Sequence, residues 1–288
     1  MADQRVVLIT GCSSGIGREA ARRFAAEGFR VYASMRRPEQ AADLRAEAAT
    51  RGWALQTPAL DVTSDASVTA AVSALFGETG GRLDVLVNNA GYYTLGPLEE
   101  TGPDELRALF ETNVVGVQRL TRAVLPAMRA RGDGSIVNVS SVSGRVAVPV
   151  AGAYHSSKWA LEALCETWRY ELAPFGIRVT IVEPGPFKTA LHDKEVHPAA
   201  FGRADSPYKP LVDEYLRRSA AMKRRDPTAV VDVILRAATA RRPRLRWPVG
   251  PTSLQGTLLR RLTPDWIYEL VLGLAFRWRR ASARRRVY

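Results

Sequence analysis

The chain has 288 residues, a net charge of +12 from 41 Lys and Arg against 29 Asp and Glu, and a 46% share of hydrophobic residues. That length suits one or two domains, and no linker, low-complexity stretch or internal repeat divides it. Two cysteines without a CxxC pair, and three histidines (His155, His192, His197) without metal-ligand spacing, argue against a metal site.

In chain order, Arg5–Thr10 is a short apolar run rich in β-branched residues, which predicts a buried strand. Gly11, Gly15 and Gly17 follow at once within Thr-Gly-Cys-Ser-Ser-Gly-Ile-Gly, and Arg18–Glu27 then has a helical pattern. Strand, glycine turn and helix are the context a dinucleotide site requires. Glycine allows positive φ and close backbone approach, and the helix N-terminus offers free N–H groups to a pyrophosphate. The spacing is G-x-x-x-G-x-G rather than G-x-G-x-x-G. Further strands are expected at Arg30–Ser34, Ala54–Leu60, Val85–Asn88, Ser135–Ser140 and Arg178–Val182. Helices are expected at Gln40–Thr50, Ala66–Phe76, Asp104–Arg131 and Tyr154–Ala173. Such alternation predicts an α/β fold with a parallel sheet covered on both faces and ligands at the strands' C-terminal ends. Gly17, Asn88, Ser140-Ser141 and Pro184 all fall at or just beyond those ends.

Tyr154 and Lys158 stand four residues apart, thirteen and more after Ser141. Residues i and i+4 share a helix face, so the lysine ammonium is expected near the phenol. A phenol ordinarily titrates near ~10, and a neighbouring cation lowers that value toward a general acid/base range. In isolation the pair reads as a Tyr and a Lys on a solvated helix face; beside the glycine loop it reads as a hydride-transfer site. His155 adjoins Tyr154 but, at ~100° per residue, points elsewhere.

These motifs resemble the short-chain dehydrogenase/reductase family. Thr10–Gly17 matches its cofactor loop, Asn88-Asn89-Ala90-Gly91 its motif after the fourth strand, and Asn113 in T-N-V-V-G its structural and proton-relay asparagine. Ser141, Tyr154 and Lys158 complete the tetrad, Pro184-Gly185 matches the segment lining the nicotinamide, and Trp247–Gly250 resembles the last strand. The resemblance implies a Rossmann-type doubly wound parallel sheet in one domain over residues 1–250, with a substrate lid at about 189–225, followed by a basic helical extension at 251–288. It implies cofactor contacts from Gly11, Ser13, Ser14, Gly15, Ile16 and Gly17, from Asp61 and Val62, and from Asn88, Ala90 and Gly91. Tyr154, Lys158, Pro184, Gly185, Phe187 and Thr189 complete that set. Asp61 reads equally as an acid at a helix N-terminus ahead of Ser64. By the same resemblance Tyr154 is the acid/base, Ser141 holds the substrate oxygen, Lys158 anchors the nicotinamide ribose, and Asn113 holds a relay water. Ser140 competes with Ser141 for its role, but lies one residue out of the family's register. Cys12 and Cys165 fall in different elements, so a disulfide is not expected and a cytoplasmic protein is.

The second strand lacks the acid that would bond an adenosine ribose hydroxyl. Met35 fills that position and Arg36 follows, offering donors to a 2′-phosphate, so NADP(H) is expected over NAD(H). Leu191, Phe201, Tyr208, Leu211, Tyr215 and Met222 give the lid an apolar, aromatic character that suits a lipophilic carbonyl. V-Y-A-S-M-R-R-P, Glu183-Pro-Gly-Pro and the long C-terminus look most like the steroid and retinol dehydrogenase branch. The expected activity is therefore interconversion of a lipophilic secondary alcohol and its ketone, or an aldehyde. A 3-oxoacyl-thioester reductase, served by a basic surface that receives an acidic carrier, is the alternative. A non-catalytic nucleotide-binding regulator fits less well, because the tetrad is intact.

From Arg241 to Tyr288 there are twelve arginines and two acids, a net of +10, around a nearly continuous apolar run at Trp266–Phe276. Eleven residues are too few to span a bilayer, which needs ~20, and the N-terminus does not read as a signal peptide. This segment is expected to serve attachment rather than chemistry, either within a homodimer or homotetramer or as a peripheral membrane contact through 260–286. No nucleic-acid reading motif accompanies the charge.

Overall fold

The computed structural model describes residues 4–188, 196–222 and 224–276. Among them β1 (Val6–Ile9), β2 (Arg30–Ala33), β3 (Leu55–Gln56), β4 (Val85–Asn88), β5 (Gly134–Val139), β6 (Ile177–Pro184) and β7 (Arg246–Val249) form one sheet. All pairings are parallel, in the order β3-β2-β1-β4-β5-β6-β7. The helices are α1 (Gly15–Ala26), α2 (Ala42–Arg51), α3 (Asp65–Thr79), α4 (Pro103–Phe110), α5 (Gly116–Arg131), α6 (Gly152–Leu172), α7 (Lys209–Ala221), α8 (Thr228–Thr239), α9 (Pro251–Leu262) and α10 (Asp265–Ala275). After β3 the chain returns to the far side of β1, so the C-terminal ends of β1 and β4 flank a topological switch point, where α/β sheets open a crevice.

Period-two alternation places successive strand residues on opposite faces. Val7 and Ile9 join Phe24 of α1 and Ile234 of α8 in one core. Val6 and Leu8 join Leu120 and Val124 of α5 and Leu161 of α6 in the other. Both faces are covered, which is why β1 and β4 are buried along their whole length and read as unbroken apolar runs.

Two expected elements differ. The strand expected at Ala54–Leu60 shortens to Leu55–Gln56, with one further bridge between Met35 and Ala59. It lies at the sheet edge and contains Pro58, which cannot donate to a ladder. The helix expected at Asp104–Arg131 is interrupted by a π-helical turn at Glu111–Val115. That turn carries Asn113 inward and ends on Gly116, where a Cβ would come within 2.8 Å of Val62 Cγ2. Among the described residues the C-terminal extension forms the two helices α9 and α10, and no helix of the described residues is long and apolar enough to cross a membrane.

Candidate active site

A cleft of about 1410 Å³ runs along the C-terminal ends of the strands. At its nucleotide end Gly11, Ser13, Ser14, Gly15 and Ile16 line the wall. Gly11 has φ +73°, and a Cβ there would meet Ala90 Cα at 2.9 Å. Gly17 lies behind the loop, where a Cβ would meet the Asn89 amide nitrogen at 2.4 Å and Gly11 O at 2.5 Å. Both positions therefore require glycine for close approach rather than for flexibility. The loop is clamped from β4. Asn89 Nδ2 donates to Thr10 O at 2.9 Å, and the backbone N–H groups of Asn89 and Ala90 donate to Thr10 Oγ1 at 3.0 and 2.9 Å.

The same end of the cleft holds Met35, Arg36, Asp61, Val62, Ala90 and Gly91. Met35 is buried and Arg36 exposed. Asp61 is not a helix cap; Ser64 caps α3 by accepting from Ser67 N. The Asp61 carboxylate instead accepts from Thr63 N and Oγ1 at 3.0 and 2.8 Å. Burial opposes its ionisation, but those bonds outweigh it, and with help from Arg36 and Arg119 its pKa falls below the ordinary value. Asn88, expected as a contact, turns into the core and donates to Thr121 Oγ1 and Asn138 Oδ1 at 3.1 and 2.9 Å. Asn89 lines the cleft in its place, a residue that its position in the same motif should have flagged. Thr189 lies outside the described residues.

At the other end Ser141, Tyr154, Lys158, Pro184, Gly185 and Phe187 converge. Strand β5 delivers Ser141 and α6 delivers the Tyr154–Lys158 pair. Ser141 faces the phenol across the cleft wall and favours its ionisation, whereas Ser140 Oγ and Glu162 lie together against Gly144. Burial pushes Tyr154 up to about 12; Ser141 lowers it and nearby Tyr215 raises it. The expected lowering by Lys158 is not what dominates. The ammonium sits 5.8 Å from the Tyr154 ring centroid and donates to Val139 O at 3.0 Å. Both groups are out of water, and burial brings Lys158 down to about 8. Asn113 stands one layer back. Its amide nitrogen donates to Tyr92 O and Ser157 Oγ at 3.0 and 3.1 Å, and its oxygen accepts from Tyr92 N at 3.1 Å. His155 Nδ1 meets Ser143 O at 3.1 Å and so braces the loop beyond Ser141 rather than joining the tetrad.

Several neighbours carry no motif. Tyr93 packs edge-on to Tyr154 at 4.6 Å, and its hydroxyl meets that of Tyr215 on α7 at 2.6 Å. Phe201, Tyr208, Leu211 and Tyr215 pack against this cluster. Beneath the tetrad Arg246 Nε lies 3.0 Å from Glu162 and 3.5 Å from Glu183, both buried and both pushed up by burial. Thr252, Gly256 and Phe276, in the segment expected to serve attachment, also line the cleft. Tyr268 donates to Ala147 O at 3.0 Å and Arg218 of α7 donates to Ala275 O, so α10 is tied both to the loop before α6 and to α7.

The family model described as short chain dehydrogenase matches residues 5–199. Among similar chains, an uncharacterized oxidoreductase of Bacillus subtilis (strain 168), YusZ, is 37% identical over 281 residues, covering 94% of this chain and 98% of its own. The 17-beta-hydroxysteroid dehydrogenase type 1 of Homo sapiens is 40% identical over 254 residues, covering 84% and 76%. A short-chain dehydrogenase from Streptomyces avermitilis superposes with a TM-score of 0.82 at 36% identity, over 95% of this chain and 97% of that one. Two further structures, from Burkholderia cenocepacia J2315 with NADP and from Burkholderia phymatum with NAD, reach 0.73 and 0.78 at 26% and 28% identity. They cover 93% of this chain each, and 98% and 95% of their own. With the cleft, the glycine loop and the Ser141–Tyr154–Lys158 cluster in place, the chain belongs to the short-chain dehydrogenase/reductase family and is an NAD(P)H-dependent oxidoreductase acting on CH–OH and carbonyl groups.

Proposed function

We propose that the protein uses NADP(H) to interconvert a lipophilic secondary alcohol and its ketone, or an aldehyde. The observation that carries this reading is the continuity of one cleft from the glycine loop, past Tyr154, to an apolar end bounded by Val142, Val146, Val148, Met222 and Phe276. The residues fit a dinucleotide. Gly11, Ser13, Ser14, Gly15 and Ile16 line the cleft ahead of and at the N-terminus of α1, and the first turn of α1 has no acidic residue to repel a pyrophosphate. Arg36 at the cleft supports a 2′-phosphate, and the relatives include structures with NADP and with NAD.

When bound, the reduced nicotinamide supplies the hydride to the carbonyl carbon. Ser141 holds the carbonyl oxygen, and Tyr154 transfers its phenolic proton to that oxygen as negative charge develops. A phenol at about 12 is protonated at neutral pH, so in this state Tyr154 stands ready as the acid of the reductive direction. Lys158 holds the ribose and presents positive charge to the phenolate as it forms. Asn113, tied to Tyr92 and Ser157, fixes the geometry behind Lys158.

The human steroid dehydrogenase among the relatives supports a steroid-like or comparable lipid substrate. A second reading, reduction of a 3-oxoacyl thioester, draws on Arg217, Arg218 and Arg224 at the cleft, which suit an acidic carrier. The assembly is read as a homodimer or homotetramer, for which light scattering gives the subunit count. One substrate panel separates the two chemistries: steroid, retinoid and long-chain ketones against 3-oxoacyl thioesters, each with NADPH and NADH. Turnover of the thioesters alone overturns the lipophilic-ketone reading. Tighter binding of NADH than NADPH by the wild type overturns the cofactor assignment, and Met35→Asp with Arg36→Ala should move preference toward NAD(H).

A further inference from the structure

Glu162 follows Lys158 by four residues on α6, and both are buried. Side chains at that spacing share a helix face, with Cβ atoms ~5–6 Å apart. The turn after β5 packs down on this pair through Gly144. A Cβ there would come within 2.8 Å of Glu162 Cγ and 3.1 Å of Lys158 O. From β7, Arg246 Nε reaches Glu162 Oε2 at 3.0 Å, and another arm of the guanidinium takes the half-exposed Glu166 at 2.7 Å. Glu183 of β6 is buried too, but stands farther from Arg246, at 3.5 Å.

One arginine therefore serves two buried carboxyls. Burial and the neighbouring Glu162 push Glu183 up to about 7, against Arg145, Arg246 and Arg244. Burial raises Glu162 as well, but Ser140, Arg246 and Arg145 oppose it. Glu183 is thus the carboxyl that keeps a proton below about 7, and Glu162, closer to the guanidinium, carries the charge. Cys165 is the other acidic group of α6 near Lys158, and burial holds its thiol far above the ordinary value and so neutral. Lys158 itself donates to the uncharged carbonyl of Val139. Burial brings its pKa down, with Cys165 and Glu162 opposing.

We propose that Glu162 is a positioning residue for Lys158: gripped by Arg246, its carboxylate keeps a negative charge one helical turn from the ammonium and so keeps the lysine protonated in a dry site. On this reading, which rests on the roles of Lys158 given above, Arg246 acts on the reaction from the far side of α6. A lysine that lost its proton would have no positive charge to offer the forming phenolate.

The chain has five lysines, and Lys158 is the buried one among the described residues. NMR of the full chain carrying 13C-lysine therefore reads the midpoint of Lys158 directly. It needs no nicotinamide and no turnover, so its result is separate from that of the substrate panel. Glu162→Gln keeps the shape and an acceptor for Arg246 but removes the charge, and should lower the midpoint by about one unit. Glu162→Asp keeps the charge and should restore most of the wild-type value. Glu166→Gln removes the other partner of Arg246 and should leave the midpoint in place. An unchanged midpoint in folded Glu162→Gln, a Glu162→Asp protein no different from it, or an equal fall in Glu166→Gln would each overturn the proposal. If Glu162→Gln melts early, the carboxyl 13C shift of Glu162 in the wild type decides. It should be that of a carboxylate where Lys158 titrates, near about 8; a carboxyl still protonated there would sink the idea.

Discussion

At Tyr154 the packing of Tyr93, Val150 and Val212 takes the phenol out of water, and at Lys158 the carbonyl of Val139 does not replace the hydration the ammonium has lost. The two groups thus bear opposite burdens: the acid keeps its proton and the base tends to lose one. Tyr154→Phe removes the proton and leaves the ring packing, so kcat for reduction should fall by about 10²–10⁴ with NADPH affinity unchanged in a fluorescence titration. Lys158 makes a pH prediction. Below about 8 both folded and unfolded chains carry its charge, and only the folded chain bears its burial. Between about 8 and the ordinary 10.5 the unfolded chain keeps a proton that the folded chain has shed, so stability rises with pH across that window. The full gain is on the order of 3 kcal/mol. Urea unfolding should show wild type gaining on Lys158→Met between those limits; parallel pH curves would contradict it. Some of this scale was legible: the family's register singled out Ser141 over Ser140, and Ser141 lines the cleft and acts on the Tyr154 phenol. What was not legible depended on direction. Asn88 and Asn89 are chemically alike in sequence, and only strand alternation with the sheet's twist sends one to the core and the other to the cleft.

Helices and strands were readable wherever periodicity is strong, as at β1, β4 and α6, because burial on both faces or along one stripe leaves a plain pattern. The π turn in the long helix left no such mark, since one extra residue per turn shifts a pattern without erasing it. The edge strand was overread because its apolar residues pack without laddering. The junction of β1 and α1 gives the element-scale prediction. In Gly17→Ala the new methyl meets Asn89 and the Gly11 carbonyl, and the loop must shift. NADPH binding should weaken at least about tenfold, since displacement of positioning groups by ~1 Å is costly. Gly77→Ala is the contrasting case: it is helical, exposed and has open space around its Cβ position. It should stabilise the chain by about 0.5–1 kcal/mol, seen as a higher melting temperature. A Gly17→Ala protein with wild-type NADPH affinity would show that the loop is not a close-packed cradle.

Taken as one body, the molecule builds one end of the cleft from loops after the N-terminal strands and its other walls from segments much later in the chain, Tyr215, Met222 and Phe276 among them. Long-range placements of that kind have no local signature, which is why the cleft wall in α9 and α10 escaped the sequence. Ending the chain after Gly250 should leave nucleotide affinity within about threefold, because no contact of the glycine loop is lost, yet lower kcat/KM on a small soluble ketone by about a hundredfold as the wall opens. Steady-state kinetics beside a nucleotide titration checks both halves; equal loss of both would mean that the last helices support the whole sheet.

The clamp of Asn89 on the glycine loop also has a temporal consequence. Its partners, Thr10 and Gly11, leave the ribosome early, and Asn89 itself comes well before the middle of the chain. At roughly 5–20 residues per second, synthesis from Gly17 to Phe276 takes on the order of tens of seconds. The glycine-loop end of the cleft is therefore made first and the wall at Phe276 last, so full turnover should be reached only once the end of the chain has emerged.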